Sequence, residues 1–251
     1  YIRIPDLVKK VGEFKQPAIA LTDHGTGSGW LELFHETEKW NKANPHQPIK
    51  PIMGMEAYTV NDRTVKVKGE LNKHLLMWAR NQEGYKNMLK LHYEGYATGA
   101  TQVYDRVVPR IDHTLLTRES CRGLIASTGC LASEISQFLM QDDWDSAIKL
   151  AEKYKQIFDI LVAEVQPPHL LELQGEINEK IIKLAEMCDL PLICTTDSHY
   201  LEEKDREAHQ RVLAIQSKKD IYDPDRFTFE ATHLTSTDEM RQYFDDKIIE
   251  N

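Results

Sequence analysis

The sequence has no run approaching the roughly 20 consecutive apolar residues of a membrane-spanning helix, so no such span is expected. Cysteine is scarce: Cys121, Cys130, Cys188 and Cys194 are the only four among 251 residues. They are too scattered for a disulfide framework, and no Cys-x-x-Cys pair supports a zinc ribbon. Reduced thiols in a cytoplasmic protein are the expectation. Positive charge is short as well, since 31 Lys and Arg face 40 Asp and Glu for a net charge of −9. That balance argues against gripping DNA through the overall field, and leaves room only for a local basic patch. No Ser-His-Asp order, Gly-rich phosphate loop or Rossmann glycine pattern is present. The opening Tyr1-Ile2-Arg3-Ile4-Pro5-Asp6 is polar and proline-interrupted, unlike a signal peptide, and the missing initiator Met suggests a trimmed start.

What remains is an ordinary globular composition, 41% hydrophobic and 28% charged, with no low-complexity linker and no internal repeat. A single domain over residues 1–251 is expected. Helical spacing of Leu7, Val8 and Val11 predicts a helix over 4–14, and Ala18-Ile19-Ala20-Leu21 reads as a strand covered on both faces. A helix over 30–42 follows, with Leu31, Phe34 and Trp40 as core contacts. Strands are then expected over 49–60, 74–79, 123–126, 161–166 and 191–195. Between and after them fall helices over 83–96, 131–141, 144–158, 170–187 and 205–216. A capping box at Ser236-Thr237-Asp238-Glu239 opens a last helix through Phe244. Six strands alternating with helices predict a parallel sheet or an α/β barrel.

Residues able to bind metal recur at the ends of these strands. The first strand ends in Asp23 and His24, the second carries Glu56, the fourth ends at Cys130, and the sixth at Asp197 and His199. In barrels, the carboxyl ends of parallel strands converge on the face that bears the active site. His74 fits less simply, because it precedes its apolar run. Imidazole, carboxylate and thiolate together suit zinc, manganese or iron better than calcium or magnesium. Closely spaced ions on such a rim lower the pKa of a bridging water and clamp phosphate oxygens during displacement. Each residue also has an ordinary reading: Asp-His-Gly as a turn, Cys130 as a small hydrophobe, Glu56 beside Tyr58 as a solvent-facing strand residue. His92, His113, His169 and His233 have no strand-end partner and read as structural or exposed; His209, in a helix just after the Asp197/His199 turn, reads as core or surface, with a place behind the ligands as the alternative. Arg63, Lys66, Lys68 and Lys73 beside Glu70 read as a solvated loop, and Tyr85, Tyr93 and Tyr96 as packing residues.

Several strings carry a family resemblance. Pro17-Ala18-Ile19-Ala20-Leu21-Thr22-Asp23-His24-Gly25, Pro51-Ile52-Met53-Gly54-Met55-Glu56 and Asn81-Gln82-Glu83-Gly84-Tyr85-Lys86-Asn87 resemble the polymerase and histidinol phosphatase (PHP) domain. The likeness is strongest to the version at the amino terminus of bacterial DNA polymerase III alpha subunits. Pro109-Arg110-Ile111-Asp112, Ser127-Thr128-Gly129-Cys130, Thr196-Asp197-Ser198-His199-Tyr200 and Asp223-Pro224-Asp225-Arg226-Phe227 through Glu239-Met240 continue it in order.

The resemblance implies a distorted seven-stranded, TIM-barrel-like (β/α) barrel with up to three Zn²⁺ or Mn²⁺ ions at one end. It carries over His24, Glu56, His74, Cys130, Asp197 and His199 as ligands, with Asp23 behind His24 to orient it. The family begins with a strand bearing His-x-His, and Tyr1-Ile2-Arg3-Ile4-Pro5 resembles the segment just after it. The first strand and its ligands are therefore expected to be missing here, as is the polymerase palm. The implied activity is phosphoester hydrolysis, a 3′–5′ exonuclease in the polymerase branch. DNA, other domains of a parent polymerase and replisome subunits such as the sliding clamp are the implied partners. The implied setting is the cytoplasm of a bacterium or a phage-infected host, away from any membrane. A free-standing phosphoesterase and a non-catalytic structural module are the alternatives.

Overall fold

The computed structural model describes residues 2–67, 70–103, 106–171, 173–223, 228 and 232–249. Tyr1, Lys68 of the basic cluster and residues 224–227 of the tail motif lie outside the described residues.

Helix α1 (Ile4–Glu13) carries Pro5 in its first turn, where the fixed φ fits, and buries Leu7, Val8 and Val11. It lies against α2 (Trp30–Ala43), and together with Ile49 and Leu234 they form a small cluster beside the main core. The buried stripe of α2 is Trp30, Leu33 and Thr37, while Leu31 is 66% and Phe34 43% exposed. Leu31 and Phe34 of the expected core face are thus one residue out of phase, whereas Trp40 packs against the small cluster as expected. Trp30 decides the phase, because its indole N–H donates 2.7 Å to the Gly54 carbonyl under the sheet.

The six expected strands all form, and they lie side by side in chain order. They are β1 (Ala18–Leu21), β2 (Lys50–Thr59), β3 (Lys73–Ala79), β7 (Leu124–Ser127), β8 (Ile160–Val165) and β9 (Leu192–Cys194). Between β3 and β7 come α3 (Gln82–Gly99), the short pair β4 (Thr101–Val103) and β5 (Arg106–Val108), and β6 (Arg110–Ile111). These three short strands were not expected; β6 joins the main sheet by pairing parallel with Tyr58 and Thr59 of β2, making seven strands. The sheet is mixed rather than parallel. Strand β3 runs antiparallel to both β2 and β7, whereas β1–β2, β7–β8 and β8–β9 are parallel.

Helices cover the outside. Helix α4 (Glu134–Met140) is capped by the Ser133 hydroxyl and α5 (Trp144–Ile157) by the Asp143 carboxylate. Helix α6 (Gln174–Cys188) starts four residues later than expected. A 3₁₀ turn (Glu203–Asp205) leads into α7 (Arg206–Ser217). The predicted capping box is present at Ser236 and Glu239, but α8 (Thr237–Met240) ends at once and α9 (Asp246–Ile249) follows.

The basic cluster is partly structural. Arg63 turns inward and its guanidinium meets both oxygens of Asp112 at 2.9 Å. Burial pushes the Asp112 carboxyl up, but N–H and hydroxyl donors from Arg63 and Thr114 outweigh it and hold the pKa at about 2. That value lies below the roughly 3.9 of an unfolded Asp, so the stabilisation is full above about pH 4 and fades as pH falls toward 2. Asp112→Asn is expected to cost about 2 kcal/mol at pH 7 and to flatten this acid limb. Urea unfolding at a series of pH values checks it; wild-type stability at pH 7 refutes it.

Candidate metal centre

The site forms where the sheet curls. A flat sheet would separate β1 from β9, five neighbours apart, by about 24 Å. Yet the rings of His24, just after β1, and His199, just after β9, have centroids 6.2 Å apart. The two ends of the strand path meet at one rim, and the candidate ligands line it.

Local sequence sets each one in place. Gly25 adopts φ +61, and a Cβ there would meet the Tyr58 ring at 3.0 Å, so Asp-His-Gly requires glycine at its third position. The loop is tied down on both sides. The Gly25 N–H donates to the Glu56 carbonyl at 2.8 Å, and His92 Nε2 donates to the Gly25 carbonyl at 3.1 Å. His92, which has no strand-end partner in sequence, therefore holds the loop that carries His24. Glu56 shares a face of β2 with Gly54 and Tyr58 and is 8% exposed, which overturns its solvent-facing alternative. His74 reaches the rim because β3 is antiparallel: its first residues lie beside the last residues of the parallel strands.

Three donors converge. His24, Glu56 and His74 each offer a ligand atom, and these atoms lie within 4.8 Å of one another. His24 Nε2 is 3.3 Å from Glu56 Oε2, and the His74 Nδ1–H donates to Glu56 Oε1 at 2.5 Å. The Cys130 thiol stands 3.7 Å from Glu56 Oε1 and 3.6 Å from His74 Nδ1. Asp197 and His199 close the far side as a pair, with His199 Nδ1 donating to the Asp197 carbonyl at 2.7 Å. Asp197 holds φ +46, a left-handed backbone that a non-glycine residue keeps only under constraint. Asp23 touches the site through its main chain, its carbonyl accepting from the Glu56 N–H at 3.3 Å.

Charge follows the geometry. Burial pushes the Glu56 carboxyl up, but the His74 hydrogen bond and the His24, His74 and His199 charges hold it ionised, at about 2. Burial pulls His74 down, and Glu56 more than compensates, so His74 is raised above its ordinary 6.5. His24 is lowered, chiefly by burial. Burial, then the Glu56 and Asp197 charges, push the Cys130 thiol well up. Burial lifts Asp197 too, with the Glu56 charge adding to it.

The donor set fits a metal. Tetrahedral zinc with bonds of about 2.0–2.3 Å places ligand atoms roughly 3.3–3.7 Å apart, close to the His24–Glu56 and Cys130–His74 spacings. The shorter His74–Glu56 contact must open, giving up its proton.

Two further residues belong to this end of the sheet. Glu164, 3% exposed near the end of β8, receives hydrogen bonds from Ser127, Thr195 and Gln166. It is the polar strand-end residue that pattern reading passed over; an acidic residue within an apolar strand was the available signal. His209 is buried with its ring 5.5 Å from His199, and burial with the His199 charge lowers it to about 4. Of the three tyrosines on α3, Tyr85 packs against Trp30, whereas Tyr93 is 67% exposed, against the packing expectation.

Comparison with known proteins agrees. The sequence is similar to DNA polymerase III subunit alpha of Thermus aquaticus, 36% identical over 95% of this chain and 19% of that one. The same subunit of Deinococcus radiodurans is 34% identical over 96% of this chain and 18% of its own, and that of Aquifex aeolicus 34% over 98% and 21%. The chain thus spans about a fifth of the length of these curated relatives. The model of the PHP domain matches residues 1–167, through the strands and loops that carry His24, Glu56, His74 and Cys130. With two thirds of its length matched, a curled mixed sheet and a clustered rim, this chain belongs to the PHP domain family.

Proposed function

We propose that residues 1–251 form the PHP domain of a bacterial-type replicative DNA polymerase, of the DNA polymerase III alpha kind, and that the rim site hydrolyses phosphoesters. The preferred reaction is 3′–5′ removal of nucleotides from DNA. The observation that carries this reading is the His24–Glu56–His74 group with the Cys130 thiol in contact, on the rim where both ends of the strand path meet. A Zn²⁺ or Mn²⁺ ion held there supplies Lewis acidity at a phosphoryl oxygen and a more acidic water.

The chain's own residues do the rest. Glu56 stays ionised and offers charge to both imidazoles. His24, lowered by burial, keeps a lone pair available at neutral pH. Asp197 and His199 enclose the opposite side, and Asp23 steadies the His24 loop through its main chain. Partners on this reading are DNA, the remaining domains of the parent polymerase and replisome subunits such as the clamp.

Metal content is measured by mass spectrometry, and cleavage with labelled single-stranded DNA in Mn²⁺ or Zn²⁺. Replacing Asp197 and His199 together by Ala is expected to remove cleavage by two or more orders of magnitude, on the order of losing metal-site partners. Undiminished cleavage in that variant would sink the assignment.

A further inference from the structure

A second concavity opens on the same side of the molecule, next to Asp197. It has a volume of about 440 Å³, within the usual range of small-ligand sites. Its walls come from four places: Pro167 and His169 after β8, Thr196 after β9, Glu203 and Arg206 where the 3₁₀ turn meets α7, and the 233–243 segment. Thr196 is the neighbour of Asp197, so the concavity borders the candidate metal centre directly. The 232–235 strip is fixed there, since the His199 N–H donates to the Thr232 carbonyl at 2.7 Å and the Leu234 N–H to the Tyr200 carbonyl at 3.1 Å.

Two features point to a ligand. Thr235 lines the basin and is 8% exposed, yet its hydroxyl has no hydrogen-bond partner among the described residues; the same holds for Nδ1 of the half-buried His233. Buried polar atoms are nearly always paired, so two orphans on one wall mark a place where something donates and accepts. At the mouth, the exposed rings of His169 and Tyr243 lie 4.7 Å apart. The charged groups of the lining are the Arg206 guanidinium and the carboxylates of Glu203 and Glu239, and Glu239 is already engaged by the Ser236 N–H and hydroxyl.

We propose that this basin binds one nucleoside monophosphate unit, with the base on the His169–Tyr243 rings and the phosphate among Thr196, Arg206 and Thr235. Aromatic rings take any base face, and hydroxyl plus guanidinium donors take phosphate oxygens. The unit is either a free nucleotide or the end of a single strand. This inference extends the phosphoester reading, because the basin delivers the nucleotide's phosphate toward Asp197 and the rim.

Binding is measured on the full chain in EDTA, by anisotropy of a labelled oligothymidylate and by dialysis of dTMP. Tyr243→Ala is expected to weaken binding roughly tenfold, the effect of losing one base stack. Thr235→Val is expected to weaken it several-fold while leaving the thermal midpoint unchanged or higher, because it removes an unpartnered hydroxyl. A purely structural threonine would not separate those two readouts. Tighter binding of the oligomer assigns the site to a strand end, and equal binding to a free nucleotide; both support the basin. Absence of binding by either ligand, or binding untouched in both variants, overturns it. Zinc stoichiometry, measured on the same variants, keeps the two readings apart. Retained zinc with unchanged nucleotide binding defeats only the basin, and lost nucleotide binding in a chain that never takes up metal defeats only the rim.

Discussion

Glu56→Gln is expected to lower zinc or manganese affinity by more than roughly 100-fold, beyond the usual 10–100-fold for losing an outer partner of a metal site. Glu56 is the hub of the cluster: its two oxygens reach His24 and His74, and the Cys130 thiol donates to one of them. The amide is nearly the same size, so packing survives while the charge does not. His74 reports the change without any metal. Its pKa is raised because the Glu56 hydrogen bond and charge overcome burial. With the amide, only the Asp197 charge is left to oppose burial, and an NMR titration should find His74 falling below its wild-type value. The wild-type protein should bind metal more tightly as pH rises. Protons on His74, whose pKa is raised, and on Cys130, pushed well up, must leave before those atoms can coordinate. Wild-type affinity in the Glu56→Gln variant, or affinity that falls as pH rises, would refute this account.

The second large effect is on stability. Gly84, in the first turn of α3, lies against the turn before β7, and a Cβ there would stand 1.8 Å from the Gly123 carbonyl oxygen. The obstacle is backbone, held at φ +77, and cannot swing aside. Making room means pulling α3 off the sheet and opening the bond from the Gly84 N–H to its cap, Asn81. Gly84→Ala should cost roughly 3–4 kcal/mol, at the upper end for overpacking. For a domain of this size that is a fall of about 10 °C in the melting midpoint. Gly175→Ala is the control. Among the described residues its Cβ meets Pro168 alone, at 3.5 Å, in the first turn of α6, so it should be neutral or stabilising by up to about 1 kcal/mol. Calorimetry on the two variants decides; equal midpoints would show that the α3 contact yields more easily than its geometry implies.

Much of this architecture is legible in the residues. The six main strands are apolar runs set off by polar or glycine-bearing turns, and such runs bury themselves in any context. The capping box at Ser236 and the Asp-His-Gly turn are equally local. The misses have physical causes. Strand β6 has two residues, and β4 and β5 three each, too few for a periodic pattern. The face of α2 turned on the Trp30 indole bond to Gly54, a contact 24 residues away that hydrophobicity alone does not weigh. Arg63 reads as a loop cation until Asp112, 49 residues on, meets it.

The candidate ligands divide the same way. Their chemical types, imidazole, carboxylate and thiol, and their places at strand ends belong to the sequence. Whether they meet does not. His74 is out of register with the others until β3 runs antiparallel, and strand direction is not written in an alternating pattern. Glu56 becomes a buried hub rather than a surface acid because His24, His74 and the Cys130 thiol gather on its side chain. The decisive step is the curl of the sheet. It brings His24 and His199 from an expected separation of about 24 Å to ring centroids 6.2 Å apart. The residues supplied the donors; the accumulated twist and curl of the strands, a property of the whole sheet, made them one site.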